Sequence, residues 1–185
     1  ANIIYSYDKA ENAVALRILT ELKPTVIARL ESSDFNPREL CQLLMAYSNN
    51  DLVEDLLPHF ENEFKQRYEA MNPEDVSKYY HCFTRANRYG SGHFYKYIQK
   101  ALSKTIRRFE SGNVRLMFID WQHAENRLNK GVRGRIHDRL FYLMDRKQMD
   151  GFDVKAIWEE TRVPGERPGE LNAQCRTYLE KIKYF

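Results

Sequence analysis

The residues best able to do chemistry in this 185-residue chain are the arginines and lysines of its central third. Residues 81–147 carry 15 basic and 5 acidic side chains, whereas residues 1–80 carry 8 basic and 14 acidic ones. The formal net charge of +3 therefore averages a basic middle against an acidic first half. Such a polarised chain is expected to meet a nucleic acid or an acidic protein surface. The candidate interaction or anion-binding residues are Arg107, Arg108, Lys130, Arg133, Arg135 and Arg139.

Residues 130–135 lie at the predicted start of a helix. Backbone N–H groups at a helix start, together with arginine side chains, can hold a phosphate or a carboxylate. RNA binding also needs aromatic rings for base stacking, and Tyr89, Tyr95 and Tyr97 lie near the start of the basic segment. An alternative interpretation stays open at this point: the long cationic side chains cover the outer faces of helices, and the tyrosines pack between hairpins.

The sequence offers little support for catalysis. It contains no Gly-rich phosphate loop ending in Gly-Lys-Ser/Thr, no Gly-x-Ser-x-Gly and no His-Glu-x-x-His. Its five His residues form no pair with another His or a Cys at a spacing that resembles a zinc site. Cys41, Cys82 and Cys175 are widely spaced and odd in number, which indicates structural thiols in a reducing compartment. We therefore expect no enzymatic activity, no metal and no cofactor.

A repeated pattern places these residues on helices. Each copy begins with a large apolar residue, continues with mostly polar or small residues, and then shows apolar residues at i, i+3, i+4 and i+7. The copies begin at Phe35, Met71, Phe109 and Met149, so successive starts differ by 36, 38 and 40 residues. Asn-Pro follows Phe35 and Met71, and it favours a helix start because Asn caps the first turn and Pro fits the first helical position. Each copy is predicted to be the first helix of a unit.

A second helix is predicted in each unit, because apolar residues recur at every fourth position between the copies. These helices cover residues 52–64, 94–106 and 132–144, and a half unit precedes residue 35. Stacked hairpins bury a continuous core between neighbours, so the predicted fold is all-α: a short α-solenoid of about 7–9 helices. It is expected to span residues 1–161. The alternative is an irregular helical bundle whose segments resemble each other by chance.

The C-terminal segment, residues 162–185, has a different composition. Two Pro-Gly pairs predict a loop, and a closing helix is expected after it. That helix either caps the solenoid or forms an arm that docks on a partner. The residues of the predicted docking arm are Val163, Pro164, Leu171, Tyr178 and Phe185.

Two expectations concern location. No apolar run approaches the roughly 20 residues that a membrane span requires, so no span is predicted. The sequence begins at Ala1 rather than Met, from which we expect that a targeting presequence has been removed.

Hairpins of this length, with their Asn-Pro or Asp-Gly lead-ins, resemble the pentatricopeptide and octotricopeptide repeat proteins of organelles. The resemblance covers residues 15–160 and implies a class that typically binds single-stranded organellar RNA, although no base-reading residue is assigned. In size, repeat count and C-terminal segment the chain is also similar to the small pentatricopeptide-like accessory subunits of euglenozoan mitochondrial ATP synthases. That likeness implies a structural subunit in the mitochondrial matrix, on the outside of an α subunit of the catalytic head.

Two hypotheses follow for the function. The leading one is a non-catalytic helical-repeat subunit that mediates protein–protein interaction in a large mitochondrial complex, most specifically ATP synthase. The alternative is a mitochondrial RNA-binding repeat protein, or one associated with the mitochondrial ribosome, that uses the basic segment 81–147.

Overall fold

The computed structural model describes residues 13–86, 92–118, 127–162 and 169–184. Within these ranges the chain forms nine α-helices and two short 3₁₀ turns, Glu54–Leu56 and Ile106–Arg108, and no β-strand. The prediction of an all-α fold is therefore confirmed. The helices are α1 (Ala13–Glu31), α2 (Pro37–Asn49), α3 (Leu57–Arg67), α4 (Pro73–Ala86), α5 (Gly92–Thr105), α6 (Ser111–Phe118), α7 (Lys130–Asp145), α8 (Gly151–Glu160) and α9 (Glu170–Lys181).

The helices are arranged in two layers. Helices α2, α4, α6 and α8 each pack against the next in the first layer, and α1, α3, α5 and α7 do the same in the second. The pairs α2–α3, α4–α5 and α6–α7 join the layers as hairpins. Each hairpin thus covers the apolar face of its neighbour, which is how helical-repeat solenoids share one core. The predicted helical-repeat fold agrees with this packing.

The start of each repeated segment is anchored in the core. In the first unit, the Asn36 side chain accepts the backbone N–H of Glu39 at 3.0 Å, and the Glu39 carboxylate accepts the backbone N–H of Asn36 at 3.0 Å. Asn72 and Asp75 form the same reciprocal pair in the second unit. These capping boxes satisfy N–H groups that a helix start leaves without partners. The apolar residues that open the four units, Phe35, Met71, Phe109 and Met149, are all buried.

One helix begins later than predicted, and a proline lies in its first turn. The second helix of the first unit was expected over residues 52–64, but α3 begins at Leu57, behind the 3₁₀ turn. Pro58 lies in the first turn of α3, where its missing N–H costs no hydrogen bond. By contrast, Pro24 lies inside the longer α1, which forms the half unit at the N-terminal side.

An aromatic cluster ties the layers together near the centre of the molecule. The rings of Phe83 and Phe94 stack with centroids 4.0 Å apart, and Phe64 lies 4.8 Å from Tyr79 and 5.4 Å from Phe94. All four side chains are fully or almost fully buried. Aromatic pairs at these separations each add about 0.5–1.5 kcal/mol beyond the burial of their area.

Three units share a long-range hydrogen bond between their helices. A side chain from the second helix reaches back to the backbone carbonyl of the apolar residue that opens the same unit. Burial of that carbonyl makes a donor necessary, because an unpaired buried C=O costs about as much as a lost hydrogen bond. The donor and acceptor pairs are Arg67 with Phe35, Arg139 with Phe109, and Tyr178 with Met149.

Helix α9 closes the described chain by packing on α8. Of its own residues, Cys175 and Leu179 are fully buried and Leu171 is half-buried. Tyr178 is also buried, and its hydroxyl donates to the Met149 carbonyl at 2.9 Å. Leu171 and Tyr178 of the predicted docking arm thus pack against this chain's own core. The other residues predicted for that arm, Val163, Pro164 and Phe185, lie outside the described residues. None of the described helices combines the length and apolar character needed to cross a bilayer.

Candidate interaction groove

Two cavities open on the second layer, one beside α5 and the other between α7 and the 3₁₀ turn after α5; together they form what we call the basic groove. The first has a volume of about 550 Å³ and is lined by Tyr95, Lys96, Gln99, Lys100, Ser103, Arg127 and Asn129. The second, the Tyr142 cavity, has a volume of about 470 Å³ and is lined by Ile106, Arg107, Arg135, Asp138, Arg139 and Tyr142. Arginines and lysines that are far apart in sequence therefore meet along one pair of helices.

Arg135 bridges the two helices of the groove. Its Nη2 donates to the Ser103 hydroxyl on α5 at 3.0 Å, and its Nε donates to the Gly131 carbonyl at 3.2 Å. Both acceptors are uncharged. Among the described residues no carboxylate lies within 4.0 Å of this guanidinium, so the contacts fix its position and leave its positive charge unbalanced.

Arg139 lies one helical turn further along α7. Its Nε and Nη2 donate to the Phe109 carbonyl at 2.8 Å and 2.6 Å. The side chain is half-buried, and it too has no carboxylate within 4.0 Å in the described part of the chain. Arg139 therefore has two roles: it satisfies a buried carbonyl and it adds a second unbalanced charge to the Tyr142 cavity.

Arg107 and Arg108 are neighbours in sequence but line different cavities. Both are exposed on the 3₁₀ turn after α5. Arg107 lines the Tyr142 cavity, whereas Arg108 lines a cavity on the first layer together with Glu74 and Glu110. The six arginines and lysines predicted from the sequence thus divide, and only Arg107, Arg135 and Arg139 share one cavity.

Lys130 and Arg133 lie at the start of α7, and neither lines the two cavities of the groove. The Asn129 side chain caps this helix by accepting the Val132 N–H at 2.9 Å. The backbone N–H of Asn129 donates to the Gln99 side chain on α5 at 2.7 Å. One of the N–H groups that the sequence-based prediction assigned to an anion, that of Val132, is therefore occupied by an internal contact.

The tyrosines expected to stack bases are largely covered. Tyr95 is buried beneath Arg127, whose guanidinium lies 5.4 Å from the ring centroid. Tyr97 is half-buried, with the ammonium groups of Lys65 and Lys100 each 5.6 Å from its centroid. Tyr89 lies outside the described residues. The available π-surface of these rings is therefore small.

Sequence reasoning missed Tyr142, the most accessible ring in the groove. It is 48% exposed, and the guanidinium groups of Arg139 and Arg146 lie 5.1 Å and 5.6 Å from its centroid. The signal was present: Tyr142 follows Leu140 of the apolar stripe by two positions, which turns it away from the core. The sequence-based prediction named only tyrosines near the beginning of the basic segment and therefore did not include Tyr142.

Several lysines outside the Tyr142 cavity pair with carboxylates. Lys23 lies 2.6 Å from Asp55, and Lys104 on α5 lies 2.8 Å from Glu69. The hydrogen bond and charge of Lys104 hold the pKa of Glu69 below its usual range. The Tyr142 cavity differs from these sites because its three arginines are not paired in this way.

The thiols are buried and are expected to be unreactive. Burial raises the pKa of Cys175 to about 12 and, together with the neighbouring Asp75 carboxylate, raises that of Cys41 well above its usual value. Both are therefore protonated near neutral pH and are poor nucleophiles. Among the described residues, no three His, Cys, Asp or Glu side chains are grouped so that they could hold a metal ion.

Comparison with known proteins leaves the groove to be interpreted from its own chemistry. No protein-family model matches the chain, and no curated protein sequence is significantly similar to it.

Proposed function

We propose that this protein is a non-catalytic helical-repeat subunit of a large mitochondrial assembly and that its basic groove docks on an acidic surface of a partner protein. The observation that carries the proposal is that Arg107, Arg135 and Arg139 outnumber the one carboxylate around the cavity, and that none of the three forms an ion pair with a described residue. Solenoids present extended surfaces that are commonly used for binding. A row of unbalanced arginines on such a surface favours a partner that supplies carboxylates.

Preorganisation is the physical reason why these arginines suit docking. Ordering a flexible side chain on binding costs about 0.5–1.5 kcal/mol. Arg135 and Arg139 are already held by the Ser103 hydroxyl and the Phe109 carbonyl. Much of that ordering is therefore complete before a partner arrives. The remaining N–H groups of each guanidinium can meet a carboxylate.

The resemblance to ATP synthase accessory subunits supplies the most specific partner for this proposal. It points to the mitochondrial matrix and to the α subunit of the catalytic head. The short solenoid agrees with a subunit that contributes a docking surface, because its hairpins pack mainly on each other and leave the groove on the outside.

The test is a native-complex profile of the tagged protein in its source cells, with companions identified by mass spectrometry. The wild-type protein should migrate with a large mitochondrial assembly. The double variant Arg107→Glu, Arg135→Glu should be released from it. The matched control is Arg38→Glu, Arg85→Glu, which makes the same charge change at exposed positions away from the groove and should remain assembled. Migration of the wild-type protein as a monomer would contradict the proposal.

RNA binding is the second candidate, and Tyr142 is the observation that favours it. An exposed ring beside Arg139 and Arg146 can stack one base while the arginines meet phosphates. Binding to a labelled oligouridylate should then fall steeply with salt, and Tyr142→Ala with Arg146→Glu should remove it. Salt-independent binding, or binding that those substitutions leave intact, would exclude this use of the groove.

A further inference from the structure

The Tyr142 cavity combines charge with an apolar wall, and from this we infer its ligand. We propose that it captures a short segment of a partner protein in which an acidic residue lies next to a large apolar one. The carboxylate binds Arg135 and Arg107, and the apolar side chain packs on Tyr142. This inference rests on the proposed function and assigns the chemistry of the partner.

The positive charge of the cavity is held in a fixed position. Arg135 and Arg139 reach the cavity from successive turns of α7, and Arg107 reaches it from the turn after α5. Hydrogen bonds to the Ser103 hydroxyl and the Phe109 carbonyl hold two of these guanidinium groups. Neutral acceptors do not cancel a positive charge. A carboxylate in the cavity therefore meets several cations whose geometry is already set.

The second feature of the cavity is the exposed ring of Tyr142. Tyr142 is one of four large hydrophobic residues in the described chain that are substantially exposed, and it lines a cavity with three arginines. Ile106 also lines this cavity, and the aliphatic stems of its arginines add apolar surface beside the ring. Covering such a wall with an apolar side chain removes it from water, which favours binding.

The acidic residue in the lining of the cavity favours a peptide over a nucleic acid. Asp138 contributes a carboxylate to the same cavity, which repels any anionic group and favours a ligand that also brings hydrogen-bond donors. A peptide suits both signs of charge, because its backbone N–H groups can donate to Asp138 while its acidic side chain binds the arginines. The cavity of about 470 Å³ is a compact site for one or two side chains, whereas single-stranded nucleic acid requires a track of cations and exposed rings.

The experiment measures binding of fluorescein-labelled peptides to the full chain by polarisation. One peptide is built of Glu-Glu-Leu triplets, a second has Gln in place of every Glu, and a third has Glu in place of every Leu. An oligouridylate is the nucleic-acid probe. The protein variants are Arg135→Glu, Arg107→Glu, Tyr142→Ala and the off-groove control Arg38→Glu, each checked for helical content and thermal unfolding. Arg139 is left intact because it also holds the Phe109 carbonyl.

The inference predicts that the Glu-Glu-Leu peptide binds best. Arg135→Glu and Arg107→Glu should each weaken it roughly tenfold, because each removes a charge contact and adds a repulsive one. Tyr142→Ala should weaken the peptide with Leu and leave the all-Glu peptide unchanged, and Arg38→Glu should change neither.

Equal affinity for the peptides with and without Leu would overturn the role of the apolar wall. Tighter binding of the oligouridylate, or indifference to the arginine substitutions, would overturn the peptide site. The native-complex profile keeps the two proposals separate. If that assembly depends on Arg107 and Arg135 while the peptides do not bind, the docking function stands and this inference fails.

Discussion

The first and third units use an arginine for the same structural task and differ in what surrounds it. Arg67 on α3 donates to the carbonyl groups of Phe35 and Ser33, and Arg139 on α7 donates to the carbonyl of Phe109. Arg67 also pairs with Glu63, whose carboxylate is 3.0 Å away. Glu63 lies four residues before Arg67, and the equivalent position four residues before Arg139 is occupied by Arg135. The fold therefore requires the donor, but it does not require the surplus charge of the third unit.

This difference separates residues that stabilise the fold from residues available for binding. Glu63 is 1% exposed and also accepts the Ser33 hydroxyl at 2.6 Å, so the first unit forms a closed, neutral network. Arg135, at the place where such an acid could stand in the third unit, donates only to uncharged groups. The comparison predicts that substitutions in the first unit chiefly change stability and those in the third chiefly change binding.

The largest expected effect follows removal of the first arginine. Arg67→Ala leaves the Glu63 carboxylate buried without its cation and two carbonyl groups without their donor. Breaking a buried ion pair in this way costs about 3 kcal/mol or more of unfolding free energy. Urea unfolding followed by circular dichroism measures it. Arg85→Ala, at an exposed position on α4, is the control and should change stability by less than about 0.5 kcal/mol.

A smaller loss is expected from the third unit. Arg139→Ala removes two hydrogen bonds to the buried Phe109 carbonyl, but it strands no carboxylate. Leaving a buried acceptor unsatisfied costs about 1–3 kcal/mol. Arg146→Ala, at an exposed position at the end of the same helix, controls for loss of an arginine. A loss for Arg139→Ala as large as that for Arg67→Ala would mean that Glu63 adds nothing to the first network.

The contrast also explains how far the sequence could predict this structure. The repeat was visible because Phe35 and Met71 are followed by residues that cap a helix locally. The long-range hydrogen bonds within each unit could not be predicted from the sequence. Arg67 and Arg139 donate to carbonyl groups that lie 32 and 30 residues earlier in the chain. Such pairing depends on how each hairpin closes, and the local pattern does not specify it.

Only part of the candidate site could be predicted from the sequence, and the reason is similar. Arg107, Arg135 and Arg139 were named from the density of basic residues, and they do line one cavity. Arg108 was named on the same ground and lines another, because a 3₁₀ turn rotates consecutive side chains by roughly 120°. Charge density along a sequence thus identifies a segment, whereas helix geometry decides which of its side chains meet.

Alkaline pH tests the closing helix α9, which belongs to neither of these two units. Burial raises the pKa of Cys175 from 9.0 to about 12, so the folded state favours the neutral thiol. The stability this contributes is complete below pH 9.0 and is lost as the pH rises towards 12. We expect a loss of about 1 kcal/mol by about pH 10 from this group.

The matched variant for this prediction is Cys175→Ala, which cannot ionise. Its unfolding free energy should fall less than that of the wild-type protein between about pH 8 and about pH 10, by that same amount of about 1 kcal/mol. Parallel pH profiles for the two proteins would show that Cys175 does not titrate on unfolding.

The smallest expected effect on stability is also the sharpest test of the comparison. Arg135→Gln loses a hydrogen bond to the Ser103 hydroxyl at a solvent-exposed position, where water can replace it, and it relieves repulsion from Arg107 and Arg139. These changes oppose each other, so the unfolding free energy should stay within about 0.5 kcal/mol of wild type. Moderate salt should bring the two proteins closer still, because it screens repulsion between exposed charges. A loss as large as that for Arg139→Ala would place Arg135 among the residues that hold the solenoid together, and its charge would then no longer be surplus to the fold.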